Sequence, residues 1–479
     1  MNKPSITKNY LYKLLYEILL VVTPLITAPY VSRVLGADGI GIYSFTYSVM
    51  TYFTLVAALG TVAYGTREIA RYRDDVYKSS KLFWEIELMT IITTGICCIA
   101  WIAVVYCFPD YRIYYLAFLP QLIGVAADIS WFYTGHERII YTVLWNSICK
   151  ITGVILIFAL VKTKSDLIVY ILILTGTYCV GNMSMWIHLP FFLTKINFRE
   201  IELKKHFKET LIYFIPAAAT SIYTVLDKTL IGVITKDVYV NGYYEQATKI
   251  INMCKSLVFS SVNSVMNARM AYLFEKKRYP EIKRKMETAM SFILMLGYGC
   301  AVGVIAVSKR FVPVFFGPGY DPTASMLILM SPLIVIVGVS NCIGSQYYTP
   351  SGRRLQSARY IIIGAVENLL LNILLIPILG GYGAIIGSLT AELTIDALYI
   401  INCNGFISIS FIWKASYKRL IAALIMLLAV LMIGSISLSN EIISLCVQVI
   451  SGIIVYFLVL AVLKDELLSD MIQRLMKLK

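Results

Sequence analysis

Apolar stretches of about 18–25 residues alternate with short charged segments along most of the chain. An α-helix rises 1.5 Å per residue, so about 20 apolar residues cross the ~30 Å hydrocarbon core of a bilayer. The pattern therefore predicts an all-α, polytopic membrane protein with about fourteen transmembrane helices. The predicted spans are 9–31, 41–63, 83–107, 113–133, 140–161, 166–194, 209–234, 243–272, 286–308, 323–347, 357–379, 381–402, 418–437 and 441–463.

One predicted span differs from the others because polar residues recur along it at helical spacing. At 100° per residue these residues fall within a sector of roughly 80°. We call them the polar stripe: Glu245, Lys249, Asn252, Ser256, Ser260, Asn263 and Asn267. The opposite face carries Ile250, Ile251, Leu257, Val258, Val262 and Val265. Such a helix turns its polar face to a water-filled cavity or a polar seam, or else lies flat on the membrane surface.

The composition supports a membrane protein. The 479 residues are 58% hydrophobic and 15% charged, with a mean hydropathy of +0.75. Soluble chains hold about 45–50% apolar residues even when Gly is counted. The N-terminal apolar run continues to Val31 without a clear cleavage site, which predicts a retained first helix rather than a signal peptide.

The net charge of +14 is explained by membrane topology rather than by nucleic acid. With the N-terminus inside, about thirty Lys and Arg fall in inward segments and seven in outward segments. The bias predicts a multi-pass membrane protein with an even number of spans and both termini in the cytoplasm. It predicts no nucleic-acid partner.

The longest basic segment that does not span divides the first twelve helices into two sets of six. We expect a six-helix lobe at 1–194, a cytoplasmic linker at 195–208 and a second six-helix lobe at 209–402. Two further helices and a tail follow at 403–479. Two sets of six would share one orientation, as in a parallel repeat.

Sequence signatures of catalysis are lacking. The chain has no G-x-x-x-x-G-K-[ST], H-E-x-x-H or G-x-S-x-G motif, which makes an ATP-driven pump or a hydrolase unlikely on sequence grounds. The ten cysteines form no C-x-x-C pair and the three histidines are isolated, so neither a zinc site nor a disulfide framework is indicated. We expect no enzymatic activity, no metal and no cofactor.

The candidates for function are the ionisable residues in or next to predicted spans, together with residues of the polar stripe. Inserting one ionised side chain at the centre of a membrane helix costs about 2.5–3.5 kcal/mol on insertion scales, so each such residue needs a reason. The candidates for a substrate cavity are Arg33, Asp128, Lys150, Asp227, Lys228, Glu245, Lys249, Asn252, Ser256, Asn263 and Asn267. Asp227 and Lys228 either form ion pairs that fix helix packing or, for the lysine, offer a cation to an anionic substrate.

Three carboxylates are candidates for ion coupling: Glu367, Glu392 and Asp396. Glu392 and Asp396 are four residues apart, so they share one face of a helix and would bind a cation or share a proton. The alternative is that both are wetted at a helix end. Gly383 and Gly387, in G-x-x-x-G spacing, favour close helix packing over a ligand role.

Four segments together resemble one family. They are Ser32–Ser44 (SRVLGADGIGIYS), Asp128–Arg138 (DISWFYTGHER), Leu226–Gly232 (LDKTLIG) and Asn368–Glu392 (NLLLNILLIPILGGYGAIIGSLTAE). They are similar to motifs of bacterial polysaccharide-unit flippases, the Wzx type. That type belongs to the MATE-like multidrug/oligosaccharidyl-lipid/polysaccharide exporter superfamily.

The resemblance implies two six-helix lobes around a central cavity, with Asp227 and Lys228 as a charged pair. The implied cargo is an undecaprenyl-pyrophosphate-linked oligosaccharide, flipped from the cytoplasmic to the outer leaflet by rocking of the lobes. The implied partners are this substrate, membrane lipids and the polysaccharide polymerase machinery.

Two alternatives within the superfamily remain open. A drug/cation antiporter is expected to have acidic rather than basic residues in its cavity. Lys228 and Lys249 therefore argue against this alternative. A lipid-linked peptidoglycan-precursor flippase would share the fold, but its motifs match less well. A membrane glycosyltransferase would need a large outward loop, and the predicted outward loops are short.

Overall fold

The computed structural model describes residues 6–436 and 440–477. Over these ranges the chain is helical and contains no β-strand. The α-helices are α1 (Ile6–Ala58), α2 (Thr61–Tyr72), α3 (Val76–Cys107), α4 (Arg112–Ala117), α5 (Leu119–Ala126), α6 (Ser130–Gly135), α7 (Ile139–Leu160), α8 (Leu167–Ser184), α9 (Leu203–Thr235), α10 (Val238–Glu275), α11 (Tyr279–Phe316), α12 (Asp321–Met330), α13 (Leu333–Ile343), α14 (Arg354–Leu379), α15 (Gly381–Asn402), α16 (Ile409–Gly434), α17 (Glu441–Val462) and α18 (Glu466–Lys477). The predicted all-α class is confirmed.

Within the described residues, ten helical segments are long and apolar enough to cross a membrane, or eleven if a bent pair counts as one span. The pair joins Asp321–Met330 to Leu333–Tyr348 at 41°. Helix α1 covers the first two predicted spans and is broken at Gly36, whose φ of 72° is outside the helical range. Helices α9 and α10 have 33 and 38 residues but are more polar. The total of fourteen is consistent with these elements and stays a prediction.

Two predicted spans in the first half of the chain contain helix breaks that the sequence pattern did not predict. The predicted second span, 41–63, ends at Ala58, and a separate short helix, α2, begins at Thr61 after Gly60 with a φ of 74°. The predicted fourth span, 113–133, lies within one candidate membrane span, Pro109–Gly135, which is made of the three short helices α4 to α6. The last break is stabilised because the Ser130 backbone N–H donates to Asp128 Oδ1 at 2.9 Å.

The chain divides into two compact units, Met1–Thr229 and Leu230–Lys479. The first unit has two apolar cores. One surrounds Trp101, whose Nε1–H donates to the Tyr115 carbonyl oxygen at 2.9 Å. The other contains Phe83, Trp131 and Phe132, all at most 1% exposed.

In the second unit, helices α16 and α17 pack against α11 through Ala422, Ala423, Met426 and Tyr456. The Tyr456 hydroxyl donates to the Met295 carbonyl oxygen at 2.6 Å. Many large apolar side chains in both units point outward, among them Ile99, Ile155 and Leu428 at 73%, 61% and 63% exposed. Such exposure on long helices fits contact with lipid tails.

Candidate functional site

The polar stripe lies on α10, and the structure gives this helix the two faces that the sequence predicts. Ile250, Ile251, Val258 and Val262 are at most 8% exposed and form the packed side. Asn252, Ser256 and Asn267 are exposed, while Glu245, Lys249 and Asn263 are half-buried. The side chains of Ser260 and Val265 lie outside the part of the chain that the structure describes.

One residue assigned to the packed face of α10 is misplaced. Leu257 is 64% exposed, because it follows Ser256 directly and lies at the edge of the packed face. The apolar face is therefore narrower than predicted, and α10 presents more of its circumference to its surroundings.

Asn263 has a packing role within the second unit. Its Nδ2–H donates to Asn341 Oδ1 at 2.9 Å, and its Oδ1 accepts the Ser345 hydroxyl at 3.0 Å. These contacts tie α10 to the end of α13 and the π-helical turn Gly344–Tyr348. Asn263 thus fixes the C-terminal part of the polar stripe against α13.

Asp128 lies at the break between α5 and α6, half-buried. It lines a cavity of about 290 Å³ together with Thr51, Thr54, Leu55, Ala58, Thr61, Val62, Val125, Tyr178 and Ser221. Neighbouring helix α8 satisfies the broken backbone, because Asn182 Nδ2–H donates to the Gly124 carbonyl oxygen at 2.9 Å. The Asp128 carboxyl is thereby held at a cavity that is also lined by residues with hydroxyl groups, among them Thr61 and Tyr178.

The rest of the motif Asp128–Arg138 packs closely against α2. A Cβ on Gly65 would lie 2.4 Å from Trp131 Cε3, and one on Gly135 would lie 2.7 Å from Ile69 Cβ. Glu137 pairs with Arg73 at 2.6 Å. These motif residues are therefore explained by close packing.

His136 lies at the end of the same motif and contacts both α6 and α3. Its Nδ1 lies 3.0 Å from the Phe132 carbonyl oxygen, and its Nε2 lies 3.2 Å from the Ser79 hydroxyl. Burial lowers the pKa of His136, and the nearby charges of Arg138 and Arg73 lower it further, while the hydrogen bond to Phe132 opposes them.

The remaining predicted cavity residues of the first unit lie on three different helices. Arg33 is exposed on α1, and Lys150 is half-buried on α7. Asp227 is 5% exposed and Lys228 is half-buried, both on α9. Asp227 thus lies inside a 33-residue helix and is shielded from its surroundings. An ionisable residue in a membrane helix is expected to face the protein interior, where other groups can interact with it.

In the second unit, Glu392 and Asp396 lie together on α15. The Ser340 hydroxyl donates to Glu392 Oε2 at 3.4 Å. Asp396 is 8% exposed, and its Oδ1 has no hydrogen-bond partner among the described residues. Glu367 is half-buried on the neighbouring helix α14. The two carboxyls of α15 thus share one face, as their spacing predicts.

Helices α14 and α15 pack closely through the glycines of the predicted G-x-x-x-G pair. A Cβ on Gly383 would lie 2.6 Å from the Leu375 carbonyl, and one on Gly387 would lie 2.6 Å from Asn372 Oδ1. The packing interpretation of these glycines is confirmed. Asn368 and Asn372 are fully buried beside them, with Asn372 Nδ2–H donating to Asn368 Oδ1 at 3.1 Å.

Sequence reasoning did not single out a buried polar cluster in the first unit. His206 Nε2 lies 2.9 Å from Glu85 Oε2, and His206 Nδ1 lies 2.6 Å from the Tyr64 hydroxyl. The Glu202 backbone N–H donates to Glu85 Oε1 at 2.9 Å. The cluster fastens the start of α9 to α2 and α3, and the only sequence signal was a pair of glutamates next to an apolar run.

Comparison with known proteins identifies the family. Residues 6–268 match the family described as polysaccharide biosynthesis protein. The “Putative O-antigen transporter” of Escherichia coli (strain K12) is 22% identical over 418 residues, covering 83% of this chain and 97% of that protein. The “Probable low-salt glycan biosynthesis flippase” of Haloferax volcanii is 23% identical over 235 residues, covering 49% of each chain.

Solved structures share the fold. A lipid II flippase MurJ in an inward closed conformation superposes with a TM-score of 0.67 at 18% identity, covering 92% of this chain and 99% of that one. An inward-facing multidrug resistance MATE family transporter of the MOP superfamily superposes with a TM-score of 0.63 at 13% identity, covering 82% and 95%. The MATE-like fold implied by the sequence motifs is confirmed, and the chain belongs to the polysaccharide biosynthesis protein family.

Proposed function

We propose that this chain flips lipid-linked oligosaccharides across the bacterial cytoplasmic membrane for polysaccharide synthesis. The observation that carries the proposal is the polar stripe of α10, whose Asn252, Ser256 and Asn267 side chains are exposed on a 38-residue helix. Amides and hydroxyls on a helix of this length provide hydrogen bonds to sugar hydroxyls while the lipid tail remains in the bilayer. The names of the relatives support the same class of cargo.

The cations suit a pyrophosphate linkage. Lys228 and Lys249 are half-buried on α9 and α10, and a partly desolvated ammonium attracts a phosphate more strongly than one in water does. The specific cargo we propose is an undecaprenyl-pyrophosphate oligosaccharide, moved from the cytoplasmic to the outer leaflet and passed to the polymerase machinery. Both termini would be cytoplasmic, as the distribution of Lys and Arg predicts.

Movement would follow the alternating-access scheme, in which two helix bundles rock about a binding site. The predicted organisation into lobes 1–194 and 209–402, with an added helix pair after residue 402, supplies the two bodies for such rocking. The candidate residues are those of the polar stripe together with Arg33, Asp128, Lys150, Asp227 and Lys228. Glu367, Glu392 and Asp396 remain the proposed ion-coupling carboxylates of the second lobe.

The test is leaflet exposure of a fluorescent polyprenyl-pyrophosphate oligosaccharide in proteoliposomes. The wild type is expected to accelerate exposure over empty liposomes. Lys228→Ala and Lys249→Ala are each expected to slow it by about tenfold or more, since a charge-assisted hydrogen bond contributes about 1.5–3 kcal/mol.

Lys285→Ala is the matched control, because Lys285 is an exposed lysine on α11, outside the stripe. It should flip at the wild-type rate. No acceleration by the wild type, across several sugars and ion gradients, would overturn the proposed function. Acceleration that Lys228→Ala and Lys249→Ala retain, as Lys285→Ala does, would keep the function and remove the two lysines from the transport path.

A further inference from the structure

Glu87 is the most unusual buried group in the first unit. It lies on α3, eleven residues after Val76, and is therefore about 16 Å along the helix axis from the start of α3. Its side chain is 0% exposed, and neither carboxyl oxygen has a hydrogen-bond partner among the described residues. Buried polar groups are almost always hydrogen-bonded, so this side chain needs an explanation.

Among the described residues, no positively charged group is found to interact with Glu87. Asp128, at the break after α5, interacts with it electrostatically and is the one titratable group found to do so among the described residues. Glu85 on the same helix is bonded to His206. On α2, which also packs against α3, Glu68 is paired with Arg71 at 3.1 Å.

An ionised Glu87 would be strongly unfavourable in this position. A carboxylate without donors loses its hydration and gains nothing in return, at several kcal/mol, and a neighbouring carboxylate adds repulsion. Within the part of the chain that the structure describes, no group of three or more His, Cys, Asp or Glu side chains could hold a metal ion there. The remaining way to remove the charge is to bind a proton.

We propose that Glu87, together with Asp128, is a proton-binding site of the first unit. Glu87 holds the proton in the conformation seen here, and half-buried Asp128 connects the pair to the cavity that it lines with Thr61 and Tyr178. On release the Glu87 O–H bond breaks, and the proton passes to Asp128 or to water in that cavity. The carboxylate left behind then needs water or a donor, which only a rearrangement of α3 or of the break can supply.

This site would couple proton movement to a change of conformation. This coupling rests on the proposed function, whereas the protonation of Glu87 does not. The two are therefore tested separately.

Protonation is tested by infrared spectroscopy of the full-length protein in lipid nanodiscs at neutral pH. The wild-type minus Glu87→Gln difference spectrum should contain the C=O stretching band of one protonated carboxylic acid, so this component is present in the wild type and lost in Glu87→Gln. It should persist in Asp74→Asn, which alters an exposed carboxyl between α2 and α3. In parallel, the apolar reagent dicyclohexylcarbodiimide, which attacks protonated carboxyls in membranes, should modify Glu87 as read by mass spectrometry.

Identical wild-type and Glu87→Gln spectra, without modification of Glu87, would overturn the site. Glu87→Gln preserves the shape of the side chain, and its elution and melting profiles check that it folds. Asp128→Asn should leave the infrared band in place, because Glu87 itself would still carry the proton.

Coupling is tested in the proteoliposome assay with and without a pH gradient. One linked proton changes an equilibrium by up to about tenfold per pH unit, so wild-type flipping should respond on that scale. Glu87→Gln should flip without responding to the gradient. An equal response of both proteins would overturn coupling through Glu87, and flipping that is absent in every protein would contradict the proposed function while leaving the infrared result intact.

Discussion

Glu85 and Glu87 are two residues apart on α3, and both are buried, yet their surroundings are opposite. Glu85 accepts hydrogen bonds from His206 and from the Glu202 backbone, and Lys81 Nζ lies 3.9 Å from its Oε1. Glu87 has no hydrogen bond at either oxygen within the described part of the chain. Successive helical residues point about 100° apart, so a step of two residues directs the side chains to different neighbours.

The difference shows that burial alone does not define the role of a charged residue in a membrane protein. A carboxylate surrounded by donors stabilises the contacts it makes, and it fixes the first turn of α9 to α2 and α3. A carboxyl without donors stabilises nothing by hydrogen bonding and is therefore available for another task. Substitutions at the two glutamates should therefore have opposite effects on stability.

The largest effect is expected from Glu85→Ala. Removing this carboxylate leaves the buried His206 side chain and the part-buried Glu202 N–H without their acceptor, and breaking a buried pair such as Glu85–His206 costs about 3–5 kcal/mol. The free energy of unfolding in detergent should fall by that amount. Asp74→Ala removes an exposed carboxyl nearby and should change it by less than about 0.5 kcal/mol. Equal, small effects of both variants would mean that the cluster does not hold α9.

A smaller effect is expected from Tyr64→Phe. The change deletes one hydroxyl, 2.6 Å from His206 Nδ1, and a single hydrogen bond contributes about 0.5–1.5 kcal/mol. The same unfolding measurement applies, with Tyr72→Phe as the control, because Tyr72 is 38% exposed at the end of α2. A loss as large as that of Glu85→Ala would show that the tyrosine, rather than the carboxylate, organises the cluster.

The fold was largely predictable because lipid imposes a simple rule on sequence. Apolar runs long enough to cross the bilayer predict helices, and the helical spacing of the polar stripe correctly predicts the two faces of α10. The breaks at Gly60 and Asp128 were missed because they do not interrupt hydropathy. Each depends on local geometry, namely a positive φ at one residue and a capping carboxylate at the other.

The polar cluster and Glu87 were not predictable in the same way. In the sequence both glutamates lie at the start of an apolar run, where water is the ordinary environment of a charged residue. His206, which bonds to Glu85, follows it by 121 residues. Partners at that separation are brought together only by tertiary packing, so periodicity along α3 gives no indication of which glutamate is satisfied.

The smallest effect on stability is expected from Glu87→Leu, and it tests the other half of the contrast. Leucine has a similar volume and needs no hydrogen bonds, so it removes an unsatisfied polar group without opening a large cavity. The free energy of unfolding should stay the same or rise, whereas the response of flipping to a pH gradient should disappear. Glu87→Gln separates charge from polarity, because its buried amide still lacks partners and should make the protein less stable than the leucine variant. A loss in Glu87→Leu comparable to that of Glu85→Ala would show that Glu87 has a stabilising partner in the membrane and would remove the contrast between the two residues.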